Sequence, residues 1–176
     1  VNKVCGSSLK AVMMAASSIK AEDGDLYVAG GVESMSRAPY LNDHVRTGNK
    51  YGHIQLRDSL QQDGLWCSMC DWAMGNAAEF IAEQLDIPRR AMDEFSYNSH
   101  MKAHRATEDG KFATEIAPVT IKTRKGETTI TTDEPIRPDT SVDVLAKLRP
   151  AFKSDGVVTA GNAPGLNDGA AALVVS

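Results

Sequence analysis

Between Leu9 and Ala21 the apolar residues Leu9, Val12, Met13, Ala16 and Ile19 recur with a helical period, while Ala11, Met14 and Ala15 fill the opposite side. A helix apolar nearly all round needs cover on nearly every side, so the pattern predicts a central, buried helix. Glu22, Asp23 and Gly24 end it, and LYVAGG follows as a short continuous apolar run closed by Gly30 and Gly31. That run reads as a strand buried on both faces. Before the helix, Val1 to Val4 read as the end of a strand and Gly6, Ser7 and Ser8 as a tight turn with serines suited to capping. Strand, bend, helix, strand is an α/β unit. Cys5 falls on the bend, near the positive end of a helix dipole, a setting that favours a thiolate. A buried structural cysteine is the alternative.

Residues 38–72 are polar and irregular, with Pro39, Asn42, Gly48, Gly52 and Gly64 as punctuation. Helical periodicity returns in MGNAAEFIAEQL, and a second helix is predicted from Pro88 to Gly110. Arg89 with Asp93 and Arg90 with Glu94 are spaced as ion pairs, read here as a solvated face. EIAPVTIKT and ETTITT predict a hairpin around Lys125 and Gly126, SVDVLAKL a short helix, and GAAALVVS a return to buried-strand texture. The expected organisation is an α/β core, residues 1–37 and 158–176, interrupted by an inserted loop-rich domain at 38–157. A chain that starts and stops in core-like elements is expected to be part of something larger.

Composition narrows the function. A net charge of −4 and the lack of a basic run give no footprint for nucleic acid. The longest apolar stretches are far too short to cross a membrane. Three cysteines, an odd number, do not suggest a disulfide framework, so a reducing compartment is the default expectation; cytoplasmic is taken only as a default, with neither terminus available to carry an address. His100 and His104 lie four apart, yet Met101 stands where the metalloprotease motif needs Glu, and two surface histidines is the reading taken; no metal is expected. Cys67 and Cys70 form C-x-x-C, a spacing of redox pairs and half metal sites, but there is no second pair and LWCSMCDW is not a strand-to-helix context like that of Cys5, so no functional role is expected of them. No phosphate loop or dinucleotide fingerprint occurs. GNAPGLNDG, dense in Gly and Asn, reads either as a loop that presents backbone N–H groups to a ligand or as a tight connector.

Several segments together resemble the thiolase family of acyl-CoA acyltransferases: VNKVCGSSLKAV, GGVESMSRAPY, DGLWCSMCDWAMGNAAEFIAEQ, LRPAF and VTAGNAPGLNDGAAALV, in the family's order. The likeness spans essentially the whole chain but less than half of a typical member. It implies a thiolase-like α/β fold, here part of the N-terminal domain with the inserted loop domain. The activity implied is thiolytic cleavage of a 3-oxoacyl-CoA, or the reverse Claisen condensation, through a cysteine acyl-enzyme. Cys5 corresponds to the nucleophile, and its backbone N–H to an oxyanion-hole donor.

By position, Leu65, Met74, Arg137, Leu145, Phe152 and Ala160 correspond to residues along the CoA and pantetheine path. Core packing is an equal reading for Leu65, Leu145 and Phe152. Arg137 is placed near the adenine and phosphate end, where a cation finds an ionic partner. The resemblance implies no permanent cofactor, CoA and acyl-CoA as substrates, and a homodimer or homotetramer.

Ser8, Ala73, Val144 and Pro164 depart from family residues, in order Gly, His, Ser and Ser. The family's activating GHP-type histidine and second cysteine correspond to positions beyond Ser176. A non-catalytic CoA-binding or oligomerisation module is therefore the alternative from another class. A β-ketoacyl synthase relative would share the cysteine elbow, but the inserted segment matches the thiolase loop domain along its length.

Overall fold

The computed structural model describes residues 1–176. In chain order its elements are α1 (Ser7–Lys20), β1 (Tyr27–Ser34), β2 (Tyr40–Leu41), β3 (Arg57–Asp58), β4 (Trp66–Cys67), β5 (Trp72–Ala73), α2 (Met74–Gln84), α3 (Arg89–Glu108), β6 (Val119–Thr123), β7 (Gly126–Ile130), α4 (Val142–Ala146) and β8 (Asp168–Val175). Short 3-10 turns cover Val4–Gly6 and Met35–Arg37, and a π turn covers Leu60–Gly64. Packing divides the chain into one unit of Val1–Met74 with Gly165–Ser176 and a second of Gly75–Pro164. The composition changes near 37 and 157, whereas the packing boundaries fall after Met74 and Pro164; the polar segment 38–74, which holds the small hairpins β2–β3 and β4–β5, groups with the first unit.

In the first unit β1 and β8 pair antiparallel in continuous register from Tyr27↔Val175 to Ser34↔Asp168. Gly30 and Gly31 permit two close approaches there. A Cβ on Gly30 would collide with the Ala171 carbonyl of β8, and one on Gly31 with the Ser8 hydroxyl of α1. Ser8 thus occupies room that a glycine in the strand opens for it. The Asp168 carboxylate ends the sheet by accepting from the Ser34 hydroxyl and from both the hydroxyl and the N–H of Ser36.

Two expectations are corrected in this unit. No strand precedes Cys5; Val4–Gly6 is a 3-10 turn, closed by the Gly6 N–H on the Lys3 carbonyl. Nor are the apolar elements buried as the sequence predicts. Ala15 and Ala29 are the only buried residues of α1 and β1, while Leu9 is 66% and Val28 78% exposed. The physical reason is the small sheet: β1 has a single strand partner, and the outer faces of α1 and the strand pair meet no second layer.

The second unit is organised by buried polar groups. Glu79 of α2 accepts the Val157 N–H at one carboxylate oxygen and the Val158 N–H at the other, each at 2.9 Å. Asp93 of α3, 1% exposed, accepts from Arg89 Nε at 2.8 Å and from Asn162 Nδ2 at 3.0 Å. Arg89 also donates to the Leu145 and Leu148 carbonyls at the end of α4. The reading of Arg89–Asp93 as a solvated pair is therefore corrected: helical spacing brings the two together, but Asn162 and α4 cover them. Arg90–Glu94, one residue on, does lie on the exposed face. The predicted hairpin forms as β6–β7, with Thr123↔Gly126 at its turn and Gly126 at φ 130°.

Candidate active site

Cys5 is exposed in the 3-10 turn that leads directly into α1. Local hydrogen bonds hold this bend: the Ser7 hydroxyl donates to the Val4 carbonyl at 2.7 Å and accepts the Lys3 N–H at 2.8 Å, while the Asn2 amide oxygen accepts the Val4 N–H at 3.0 Å. Val4 has φ 50°, a left-handed conformation that a β-branched residue adopts only at an energetic cost. The strain falls on the residue before the cysteine and turns the chain sharply, presenting the thiol outward at the start of the helix.

A cavity of about 500 Å³ opens beside this bend, lined by Asn2 and Val4, by Ser34 at the end of β1 with Met35 and Arg37 just after it, and by Leu60 and Gly64 of the π turn. Leu65 follows that turn, and its carbonyl accepts the Met74 N–H at 2.9 Å. Leu65 and Met74 therefore close the base of the β4–β5 hairpin, with Ala73 in β5. Cys5, Leu65 and Met74 all belong to the first unit.

Arg137, Leu145, Phe152 and Ala160 belong to the second. Leu145 is buried, 4% exposed, its side chain against Gly161, where a Cβ would meet the Leu145 and Leu148 methyls. Phe152 is half-covered, its ring stacked where a Gly75 Cβ would stand and its carbonyl accepting from Asn76 Nδ2 at 3.4 Å. Ala160 is exposed at the tip of a tight loop. There the Thr159 N–H donates to Asn162 Oδ1 at 2.7 Å and the Gly161 N–H to Thr159 Oγ1 at 3.2 Å. Arg137 is exposed, its N–H donated to His100 Nδ1 at 3.1 Å. One network of Glu79, Asp93, Arg89 and Asn162 ties the Leu145 helix to the Ala160 loop. Sequence reasoning missed all four as positioning residues. The Asn in GNAPGLNDG was a usable signal, since Asn in a tight loop hydrogen bonds nearby backbone.

A family model described as the thiolase N-terminal domain matches residues 1–176. The chain belongs to the thiolase family. A probable acetyl-CoA acyltransferase of Staphylococcus epidermidis is 52% identical over 99% of the chain and 45% of that relative. An acetyl-CoA acetyltransferase of Pseudomonas aeruginosa is 49% identical with the same coverage. Among solved structures, human mitochondrial 3-ketoacyl-CoA thiolase superposes with a TM-score of 0.91 at 39% identity, covering 99% of this chain and 44% of that one. An acetyl-CoA acetyltransferase from Syntrophomonas wolfei gives 0.90 at 42% identity, covering 97% and 43%. The chain thus spans about 45% of the length of these thiolase relatives. The α/β, thiolase-like fold expected from the sequence agrees with these neighbours. No helix is long and apolar enough to cross a membrane.

Proposed function

We propose that this chain carries the acyl-accepting nucleophile of an acyl-CoA acyltransferase, with Cys5 as that nucleophile. The observation that supports the reading is the exposed Cys5 on a strained bend opening into α1, beside a cavity, in a chain of the thiolase family. The Cys5 thiolate adds to the thioester carbonyl; the tetrahedral oxyanion collapses, and a CoA thiolate leaves to give an acyl-cysteine. The Cys5 backbone N–H, at the bend, is suited to stabilise the oxyanion. That addition belongs to the condensing direction, in which the C2 carbanion of a second acyl-CoA then takes the acyl group and frees the Cys5 thiolate. In thiolysis Cys5 adds instead to the 3-oxo carbonyl, the C2–C3 bond breaks, the acetyl-CoA enolate that leaves takes up a proton, and a CoA thiolate removes the acyl group as a shortened acyl-CoA.

On the same reading residues 38–157 act as the loop domain that grips CoA. Leu65, Met74, Arg137, Phe152 and Ala160 border its path, and Leu145 supports that path from the core. Coenzyme A is then a substrate rather than a resident cofactor, and the working form is a homodimer or homotetramer. Intact-mass analysis after exposure of the full-length protein to acetyl-CoA tests the reading. One acetyl group is expected on the peptide Val4–Lys10, lost in Cys5→Ser while CoA binding persists. Unchanged acylation of Cys5→Ser removes the nucleophile assignment, and CoA binding without acylation of the native protein favours a binding module.

A further inference from the structure

Cys67 ends β4, and β5 resumes at Trp72, directly opposite it in the pairing register. The Asp71 N–H donates to the Cys67 carbonyl at 2.8 Å, closing a single helix-like turn over Ser68, Met69 and Cys70, and Asp71 leaves it at φ 55°. The tip is held further by Trp66 Nε1, which donates to Asp71 Oδ1 at 3.2 Å. In such a turn residues three apart have Cα atoms about 5 Å from one another. That separation falls inside the roughly 4.4–6.8 Å that a disulfide spans. Both thiols are free, Cys70 is exposed and Cys67 half-buried, and Met69 between them projects into solvent.

We propose that Cys67 and Cys70 are a redox-active dithiol, a modification site that a low-molecular-weight disulfide such as glutathione disulfide oxidises to a disulfide within the hairpin tip. The electrostatics assign the roles. The Cys67 thiol is held below its ordinary range by backbone hydrogen bonds from Cys70 and then Met69, whereas Cys70 is raised, chiefly by its side-chain hydrogen bond to Cys67. Cys67 is thus the attacking thiolate and Cys70 the resolving thiol. The Cys67 sulfur displaces one glutathione thiolate and forms a mixed disulfide; the Cys70 sulfur then attacks Cys67 and displaces the second. The protein loses two electrons and two protons, and glutathione disulfide becomes two glutathiones. This chemistry is independent of Cys5 and of any acyl transfer.

The test is thiol trapping on the full-length protein in glutathione buffers of graded ratio, with acid quench, alkylation and tryptic mapping. Cys67 and Cys70 share the peptide Asp58–Arg89, and Cys5 lies alone in Val4–Lys10. The expected result is an Asp58–Arg89 peptide lighter by two hydrogen atoms that loses both alkyl labels as the buffer becomes oxidising. In Cys70→Ser the reaction should stop at one glutathione on Cys67. Retention of both labels in excess glutathione disulfide overturns the proposal. So does a disulfide joining either residue to Cys5, or a Cys70→Ser variant whose Cys67 captures no glutathione.

Discussion

Replacing Glu79 by Gln probes the network that shapes the second unit. The native carboxylate presents one oxygen to each of two successive backbone N–H groups, those of Val157 and Val158. Glutamine keeps the shape but turns one acceptor into an NH₂ donor, which then faces an N–H it cannot accept. The change removes one charge-assisted hydrogen bond and leaves a buried donor unmet, at a combined cost of about 2–4 kcal/mol. Where local opening of this loop governs exchange, the Val157 and Val158 amides should exchange roughly 30- to 1,000-fold faster, since 1.4 kcal/mol is a factor of ten. Hydrogen exchange read by NMR measures this residue by residue. Glu83→Gln, on the same helix but touching Lys153 at the surface, is the control and should leave both amides unchanged. Unchanged protection of Val157 and Val158 in Glu79→Gln, with the helix intact, would refute the reasoning.

Asp93→Ala should destabilise the second unit by about 3–5 kcal/mol, because it strands Arg89 and Asn162 beside a buried gap. A urea midpoint shift at constant slope measures it, and a loss below about 1 kcal/mol contradicts the buried-network account. Arg90→Ala, on the exposed pair, should leave that midpoint where it was. The Asp168 carboxyl lies below the ordinary carboxylate range, chiefly through hydrogen bonds from the Ser36 hydroxyl and N–H, then the Ser34 hydroxyl. Its contribution is therefore present above the ordinary range and is lost as pH falls through the lower folded value. A carboxyl NMR titration of Asp168 with a midpoint at or above the ordinary range would contradict this, and Asp168→Asn should remove the acid-dependent component.

Local chemistry was legible where it was sufficient. The helical period and Pro88 announced α2 and α3, and the alternation about Lys125 and Gly126 announced β6–β7. The cysteine bend was placed correctly against α1, although its approach is a 3-10 turn. What escaped the sequence depends on partners far along the chain. Asp93 has the spacing of a surface ion pair, and only Asn162 and the α4 carbonyls, which arrive through tertiary packing, make it a buried one. Glu79 looks like any charge on an amphipathic helix until the Val157–Val158 backbone turns two N–H groups onto it. Nothing local marks either case, since burial of a carboxylate is set by what covers it.

The two units also differ in what they must bury. At 18.9 kDa a folded monomer exposes about 8,300 Å² by the usual mass scaling, and this chain exposes 14129 Å². Much of the apolar surface in that excess lies on the first unit: Leu9, Met13 and Met14 of α1, Val28 and Val32 of β1, Leu173 and Val174 of β8. They lie on α1 and the strand pair packed with it, and the bend that carries Cys5 leads into α1 with hydrogen bonds that are all short-range and exposed. The loop bearing Ala160, by contrast, is fastened by buried carboxylates inside its own unit. The order of the proposed nucleophile therefore depends on what packs against α1 and the β1–β8 pair, whereas the order of the proposed CoA-side loop is intrinsic. A surface that covers those apolar faces would rigidify the Val4–Cys5 bend and leave the Glu79–Asp93 network unchanged.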